Sequence, residues 1–426
     1  MGAQSPFSPS FELSRDVSSL VETPASAARK TPTRSIVLLA AAGFASQAQV
    51  RVTDSLLPQI AVDFHTTVGI AAIVVTTYAI THGLIQFVAG PVADRFGKYR
   101  LVAITSTLAA VFVALCGISP SLPLLGLARL ATGAVAGWVI PISMAYIGDV
   151  TPFERRQPVL ARYASGYILG QLFGQAAGGV LGDWLGWRSV FFVLAGMFAF
   201  AAAGLMFELA TDPRTRAPAD PSAPARGVAA DYKAVLANPF ARMILVVAFI
   251  EAALAWGAFA YIGADLHARF GLSFTLVGIS VAFFGVGGLT YAGLVRRLFI
   301  WLGPIRLTVC GGFILAAAYV ALAVSQVWEM APIATTAIGL GFYMLHNTLQ
   351  TNATQMTPEA RGTAVAIFSA ALYIGQTVGV TAGALVIDRL GAAPLFVIAA
   401  IGLPLLAPWF ASALRRRDAL QGIARG

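Results

Sequence analysis

The sequence predicts an all-α membrane protein, with twelve transmembrane helices in two pseudo-symmetric six-helix bundles. Three observations lead there. Of 426 residues, 58% are hydrophobic and only 11% charged, with a mean hydropathy of +0.78. A soluble domain carries roughly a quarter of its residues charged, so this chain cannot cover a water-facing surface. Second, twelve apolar stretches are long enough to cross a bilayer, which takes roughly 20 residues. Third, the glycine pattern GQLFGQAAGG at 170–179 returns as GQTVGVTAGA at 375–384.

Taken in order, residues 1–34 are rich in Ser, Pro, Ala and Thr and read as a disordered tail. No signal peptide is expected, since the first long apolar segment starts near Ser35, too far in and too long for a cleaved one. The expected spans are 36–61, 69–93, 101–119, 122–148, 158–181 and 188–209. After the linker come 242–265, 273–295, 305–325, 329–351, 363–387 and 393–413. The one long connection, 210–240, is Pro-rich, polar and basic. It divides the chain into an N-terminal bundle (35–209) and a C-terminal bundle (241–414), with a tail at 415–426.

Twelve spans place both termini on one side. Lys and Arg decide which: 23 fall on the side of the tails and the linker. Three (Arg188, Arg269, Arg389) fall on the other, and Arg51 and Arg129 lie within spans. Positively charged loops stay inside, so both termini are expected in the cytoplasm of a multi-pass protein of the cell's inner (plasma) membrane. The net charge of +9 is thereby a topology signal, not a nucleic-acid footprint. Cys116 and Cys310 sit in apolar runs and read as packing residues.

The repeat extends beyond its glycines. GQLFGQAAGGVLGDWLG (170–186) aligns without gaps on GQTVGVTAGALVIDRLG (375–391), and TPFERR (151–156) faces TPEARG (357–362). Span 5 therefore corresponds to span 11 in the same orientation, a parallel repeat about an axis along the membrane normal. Gly170, Gly174 and Gly178, with Gly179 beside them, form one helix stripe, and Gly375, Gly379 and Gly383 repeat it. Small residues at this spacing let helices approach closely. Two readings follow: static packing, or, as the duplication favours, a seam between the bundles where close contact permits rocking.

At GPVADRFGKYR (90–100) a family resemblance becomes specific. Gly90, Asp94, Arg95, Gly97 and Lys98 resemble the signature loop of the major facilitator superfamily. RLATGAVAG, with Arg129 and Gly133, resembles the Arg-x-x-x-Gly motif of its proton-coupled members. DSLLP (54–58) and GQLFGQAAGG resemble motifs of the twelve-helix drug:proton antiporters, with Gln175 where that family usually has proline. The resemblance covers 35–414. It implies that Asp94 meets the start of span 11 near Gly362 while Lys98 bridges to Asp149, a latch holding the cytoplasmic ends together. The corresponding stretch at 293–306 lacks the aspartate.

Four ionisable residues lie deep in spans: Arg51, Asp54, Arg129 and Glu251. A charge at mid-bilayer costs at least ~2.5–3.5 kcal/mol, so such residues mark a pathway or a pair. Glu251 reads as a buried carboxyl that binds a proton or a cationic substrate. For Asp54 two jobs are open: coupling carboxylate, or ion-pair partner of Arg51 three residues earlier. Arg129 stays charged, so its role is electrostatic. Tyr78, Gln171, Gln175, Tyr261, His346 and Asn347 are candidates for the cavity wall. So are the aromatics Trp138, Phe249, Trp256, Phe259, Tyr261, Phe283 and Phe284, although most of them are expected to face lipid or core. His82 and His346 have no Cys or acidic neighbour at ligand spacing, so no metal is expected. No phosphate-binding glycine loop and no nucleophile–base set occurs, so neither ATP coupling, a cofactor nor enzyme activity is expected.

The expected function is secondary active transport, with proton-coupled efflux of small amphiphilic compounds by alternating access. The expected partners are a small-molecule substrate, protons and the lipid bilayer, with no nucleic acid, and the chain is expected to act as a monomer. Uptake or facilitated diffusion of a metabolite, a non-transporting sensor and a channel are the alternatives.

Overall fold

The computed structural model describes residues 32–216, 228–357, 360–420 and 422. The expected disordered tail up to residue 31 and the middle of the expected linker, 217–227, lie outside the described residues. So do 358–359 of the TPEARG stretch, 421 and 423–426.

Among the described residues the chain is helical and contains no strand. The first set of helices is α1 (Thr33–Asp63), α2 (Val68–Ala71), α3 (Ile73–Phe96), α4 (Lys98–Ile118), α5 (Leu122–Ala136), α6 (Val139–Val150), α7 (Phe153–Leu185) and α8 (Trp187–Thr211). A short 3₁₀ turn (Pro213–Arg216) and α9 (Val228–Ala237) give part of the linker region helical structure. The second set is α10 (Pro239–Phe259), α11 (Ile262–Phe270), α12 (Phe274–Val324), α13 (Met330–Ala353), α14 (Arg361–Leu390) and α15 (Ala393–Leu420).

Nine helices among the described residues are long and apolar enough to cross a membrane. The expected spans 158–181 and 329–351 lie on α7 and α13, which are more polar than those nine. Spans 273–295 and 305–325 both lie on α12, where the backbone turns at Gly303 (φ 64°) before Pro304. Only glycine adopts that conformation cheaply, and proline cannot continue the hydrogen-bond ladder. Gly97 (φ 87°) turns the chain in the same way between α3 and α4. Beyond the expected span 393–413, α15 continues and carries Arg415 to Arg417 in its last turns, where Arg417 donates to Asn352 Oδ1 (3.0 Å) and stacks on Phe240.

Large apolar side chains point outward, with Phe200, Trp301 and Leu385 more than 70% exposed. In water that surface would be untenable; in hydrocarbon it is the expected exterior.

The glycine stripes correct the sequence reading. A Cβ on Gly170, Gly174 or Gly178 would strike the α1 backbone at Phe44, Ala48 and Val52. A Cβ on Gly375 or Gly379 would strike α10 at Phe249 and Ala253, and one on Gly383 would meet Tyr261 and Leu395. Both stripes therefore pack helices within their own set, α7 on α1 and α14 on α10, and do not form the seam between sets. Only Gly179 reaches across, against Gly278 of α12. The reason is steric: a stripe one residue wide can face one neighbour, and the adjacent residue faces the next.

The two sets meet where α3 packs on α14, α7 on α12, α1 on α11 and α2 on α14. The α7–α12 pairing runs from Leu172 on Gly285 at mid-helix to Asp183 on Thr275 at the end opposite the Gly97 turn. At the Gly97 end, a Cβ on Gly90 or Gly362 would meet no heavy atom within 4 Å.

Candidate functional site: a cavity between the two helix sets

A cavity of about 450 Å³ lies between the sets. Gln47, Arg51, Gln171 and Gln175 line it from α1 and α7; Trp256, Phe284, Phe342, His346, Tyr373 and Gln376 line it from the other side. The wall mixes aromatic faces with amides and phenols, and Asn347 and Gln350 add to it. Such a wall suits an amphiphilic guest: apolar area supplies affinity and a few polar groups fix orientation. No carboxylate is in the wall.

Arg51 is the centre of the site. It is 97% buried, and its Nη1 lies 3.5 Å from Asp54 Oδ2, one helical turn on. Its guanidinium carbon sits 3.5 Å from the centre of the Trp256 ring, and Nη2 donates to Gln376 Oε1 at 3.4 Å. Arg51 thus belongs to α1 but touches α10 and α14. Among the described residues, neither oxygen of Asp54 has a hydrogen-bond partner, and neither do Arg51 Nε and Nη1. A buried carboxylate without hydrogen bonds is costly to keep charged. Asp54 and Arg51 are therefore paired, as one sequence reading had it, and the pair is under-satisfied.

Glu251 is fully buried on α10, and His346 Nδ1 on α13 stands 2.9 Å from its Oε2. The sequence reading of His346 as lacking an acidic neighbour is corrected here: 95 residues separate the two, so no local spacing could announce the pair. His346 lies in the wall, stacked on Phe342, while Glu251 lies behind it. Both Asp54 and Glu251 thus lie behind the wall and not in it.

Arg129 is held apart from the cavity. Its Nε donates to the Val74 carbonyl (2.9 Å) and its Nη1 to Gln49 Oε1 (2.7 Å), and its guanidinium sits over the Tyr78 ring. Tyr78 and Tyr261 are not in the wall: Tyr78 packs under Arg129, and Tyr261 donates to the Val380 carbonyl at 2.6 Å. Both were cavity candidates from sequence, and both are packing residues because their rings fill contacts between neighbouring helices. Gln171, Gln175, His346 and Asn347 do line the cavity. Gln175 is fully buried, with neither amide atom hydrogen-bonded among the described residues. Gln47 and Tyr373 had no distinguishing sequence signal, because glutamine and tyrosine also serve as ordinary interhelical contacts; Gln376 did have one, as the repeat counterpart of Gln171 205 residues earlier.

At the Gly97 turn, Lys98 Nζ lies 2.6 Å from Asp149 Oδ2 and 3.1 Å from Asp94 Oδ1, while Arg95 lies beside Phe96. Asp94 is thus engaged within its own turn.

The family model described as Major Facilitator Superfamily matches residues 39–357. The chain belongs to the major facilitator superfamily. This superfamily member is a multi-pass membrane transporter, not an enzyme. It is 26% identical over 328 residues to an uncharacterized MFS-type transporter, YceJ, of Bacillus subtilis, covering 76% of this chain and 82% of that protein. It is 25% identical over 364 residues to multidrug resistance protein 1 of the same organism, covering 84% and 91%. The nucleoside transporter NupG shares its fold, with a TM-score of 0.73 at 14% identity, covering 89% of this chain and 99% of that one.

Proposed function

We propose that this transporter exports small amphiphilic compounds from the cytoplasm in exchange for protons, by alternating access, as a monomer in the inner membrane. The Gly97 end is then cytoplasmic, as the distribution of Lys and Arg argues, and the cavity is open to the cytoplasm. The single observation that carries the reading is Arg51, shared between Asp54 on its own helix and the Trp256 ring across the cavity.

Arg51 makes proton and substrate exclusive. When Asp54 is protonated, Arg51 loses its counter-charge and its best remaining contacts are Trp256 and Gln376. It then covers the aromatic face that a substrate would use. When Asp54 gives up the proton, the carboxylate draws Arg51 back, because an opposite charge at this depth outweighs a cation–π contact. Trp256 is freed, and the substrate stacks where the guanidinium was. His346, steadied by Glu251, supplies a polar contact in the same wall. The relatives named for multidrug resistance favour export of mixed compounds over uptake of one metabolite.

The test is purified protein in liposomes with a pH dye inside and an imposed pH gradient, against a panel of fluorescent aromatic compounds including ethidium. At least one compound should move protons saturably. Asp54→Asn should cut that proton movement at least tenfold while compound-for-compound exchange persists. No compound-dependent proton movement across the panel would defeat the proposal.

A further inference from the structure

The end opposite the Gly97 turn is held by two carboxylates that no part of the mechanism has used. Asp183, near the end of α7, accepts from the Thr275 backbone N–H (3.2 Å) and from the Thr275 hydroxyl (2.7 Å) in the first turn of α12. Asp388, near the end of α14, accepts from the Gly69 N–H (2.8 Å) and from the Thr67 hydroxyl (2.6 Å) in the first turn of α2. One clasp runs from the first helix set to the second, and the other runs from the second to the first.

The two are counterparts. Asp183 and Asp388 are 205 residues apart, the offset that superposes Gly170 on Gly375. Their targets match as well. Thr67 and Ser273 are the N-caps of α2 and α12, each accepting from the third residue of its helix. Each carboxylate takes the N–H of the second helical residue, Gly69 or Thr275, which the cap leaves free. At Asp183 the anion also meets the positive end of the dipole of the long helix α12. Beside the clasps the backbones touch, Gly179 on Gly278 and Gly69 on Ala384.

We infer that Asp183 and Asp388 are a duplicated gate. Each caps a helix of the opposite bundle to shut the outer end of the pathway, and both clasps must release before the cavity can open outward. The inference rests on the alternating-access reading above. The chemistry suits a gate: charge-assisted hydrogen bonds at a water-exposed rim are strong enough to bias a state, and water replaces them when they part. The apolar contacts of α7 with α1, by comparison, have no such replacement. Breaking the clasps should therefore shift the balance of states and leave each bundle folded.

The test uses the full chain in lipid nanodiscs, with Cys116 and Cys310 replaced and spin labels at Leu185 and Leu390, exposed positions next to the two clasps. The distance distribution of the parent should be dominated by one short population. Asp183→Ala with Asp388→Ala should raise the ratio of long to short population about tenfold or more, and each single change should give a partial shift of the same sign. Thr67→Val and Thr275→Val keep the charges and each remove a donor to a clasp, Thr67→Val together with the α2 cap, so they test the gate if the alanine pair fails to fold. They should shift the ratio in the same direction by less. Unchanged distributions in folded variants, or a shift toward shorter distances, would overturn the gate. The liposome assay reads separately: gate shifts without proton-coupled flux would fault the transport reading alone, and flux with unshifted distances would fault the gate alone.

Discussion

His346 Nδ1 lies 2.9 Å from Glu251 Oε2, joining α13 to α10 behind the cavity wall. Glu251 Oε1 has no other partner, so the histidine is the carboxylate's one hydrogen bond among the described residues. Removing one member of a buried pair strands the other, which is worse than removing both.

His346→Ala is therefore expected to destabilise the protein by about 3 kcal/mol, and adding Glu251→Gln should recover a third or more of that loss. Thermal unfolding in detergent of the two single variants and the double variant measures the coupling. Additive losses would show that the pair carries no interaction energy. Glu251→Gln alone should fold and should lose most proton-coupled transport. Normal pH-driven transport by that variant would remove Glu251 from the mechanism.

Two glycines one helix apart in role separate packing from cycling. Gly174→Leu drives a side chain into the Ala48 backbone inside one bundle, and should cost about 3 kcal/mol or more, seen as lost folded yield. Gly278→Leu instead meets Gly179 of the other set. It should leave the yield near that of the parent and slow transport at least tenfold, because only the contact between sets is disturbed. Equal yields for both variants would contradict the assignment of the stripes.

Asp94 is 60% exposed and pairs with Lys98 in its own turn, an interaction worth under about 1 kcal/mol. Asp94→Asn should leave the unfolding temperature within a degree or two, yet slow turnover about threefold or more, if the residue acts in the state where the Gly97 end closes. Unaltered turnover would count against a latch.

Much of the architecture was legible in the chain itself. Scarce charge and long apolar runs force helices, because a backbone in hydrocarbon must satisfy its own hydrogen bonds. The 205-residue repeat announced two related bundles, and GPVADRFGKYR announced the superfamily. The buried charges were legible too, since Arg51, Asp54, Arg129 and Glu251 stand out against apolar neighbours.

What those charges do was not. Arg129 and Arg51 look alike in sequence, but one is fixed on Gln49 and Val74 and the other lies in the cavity wall. Glu251 and His346 are strangers along the chain and partners in space. The glycine stripes were visible from spacing, while their facing partners were not. The sequence by itself determined which segments are helical, that the halves repeat, and which residues are too costly to be idle. Tertiary structure decided which helix each face meets, because helical periodicity fixes the direction of a side chain only relative to its own axis.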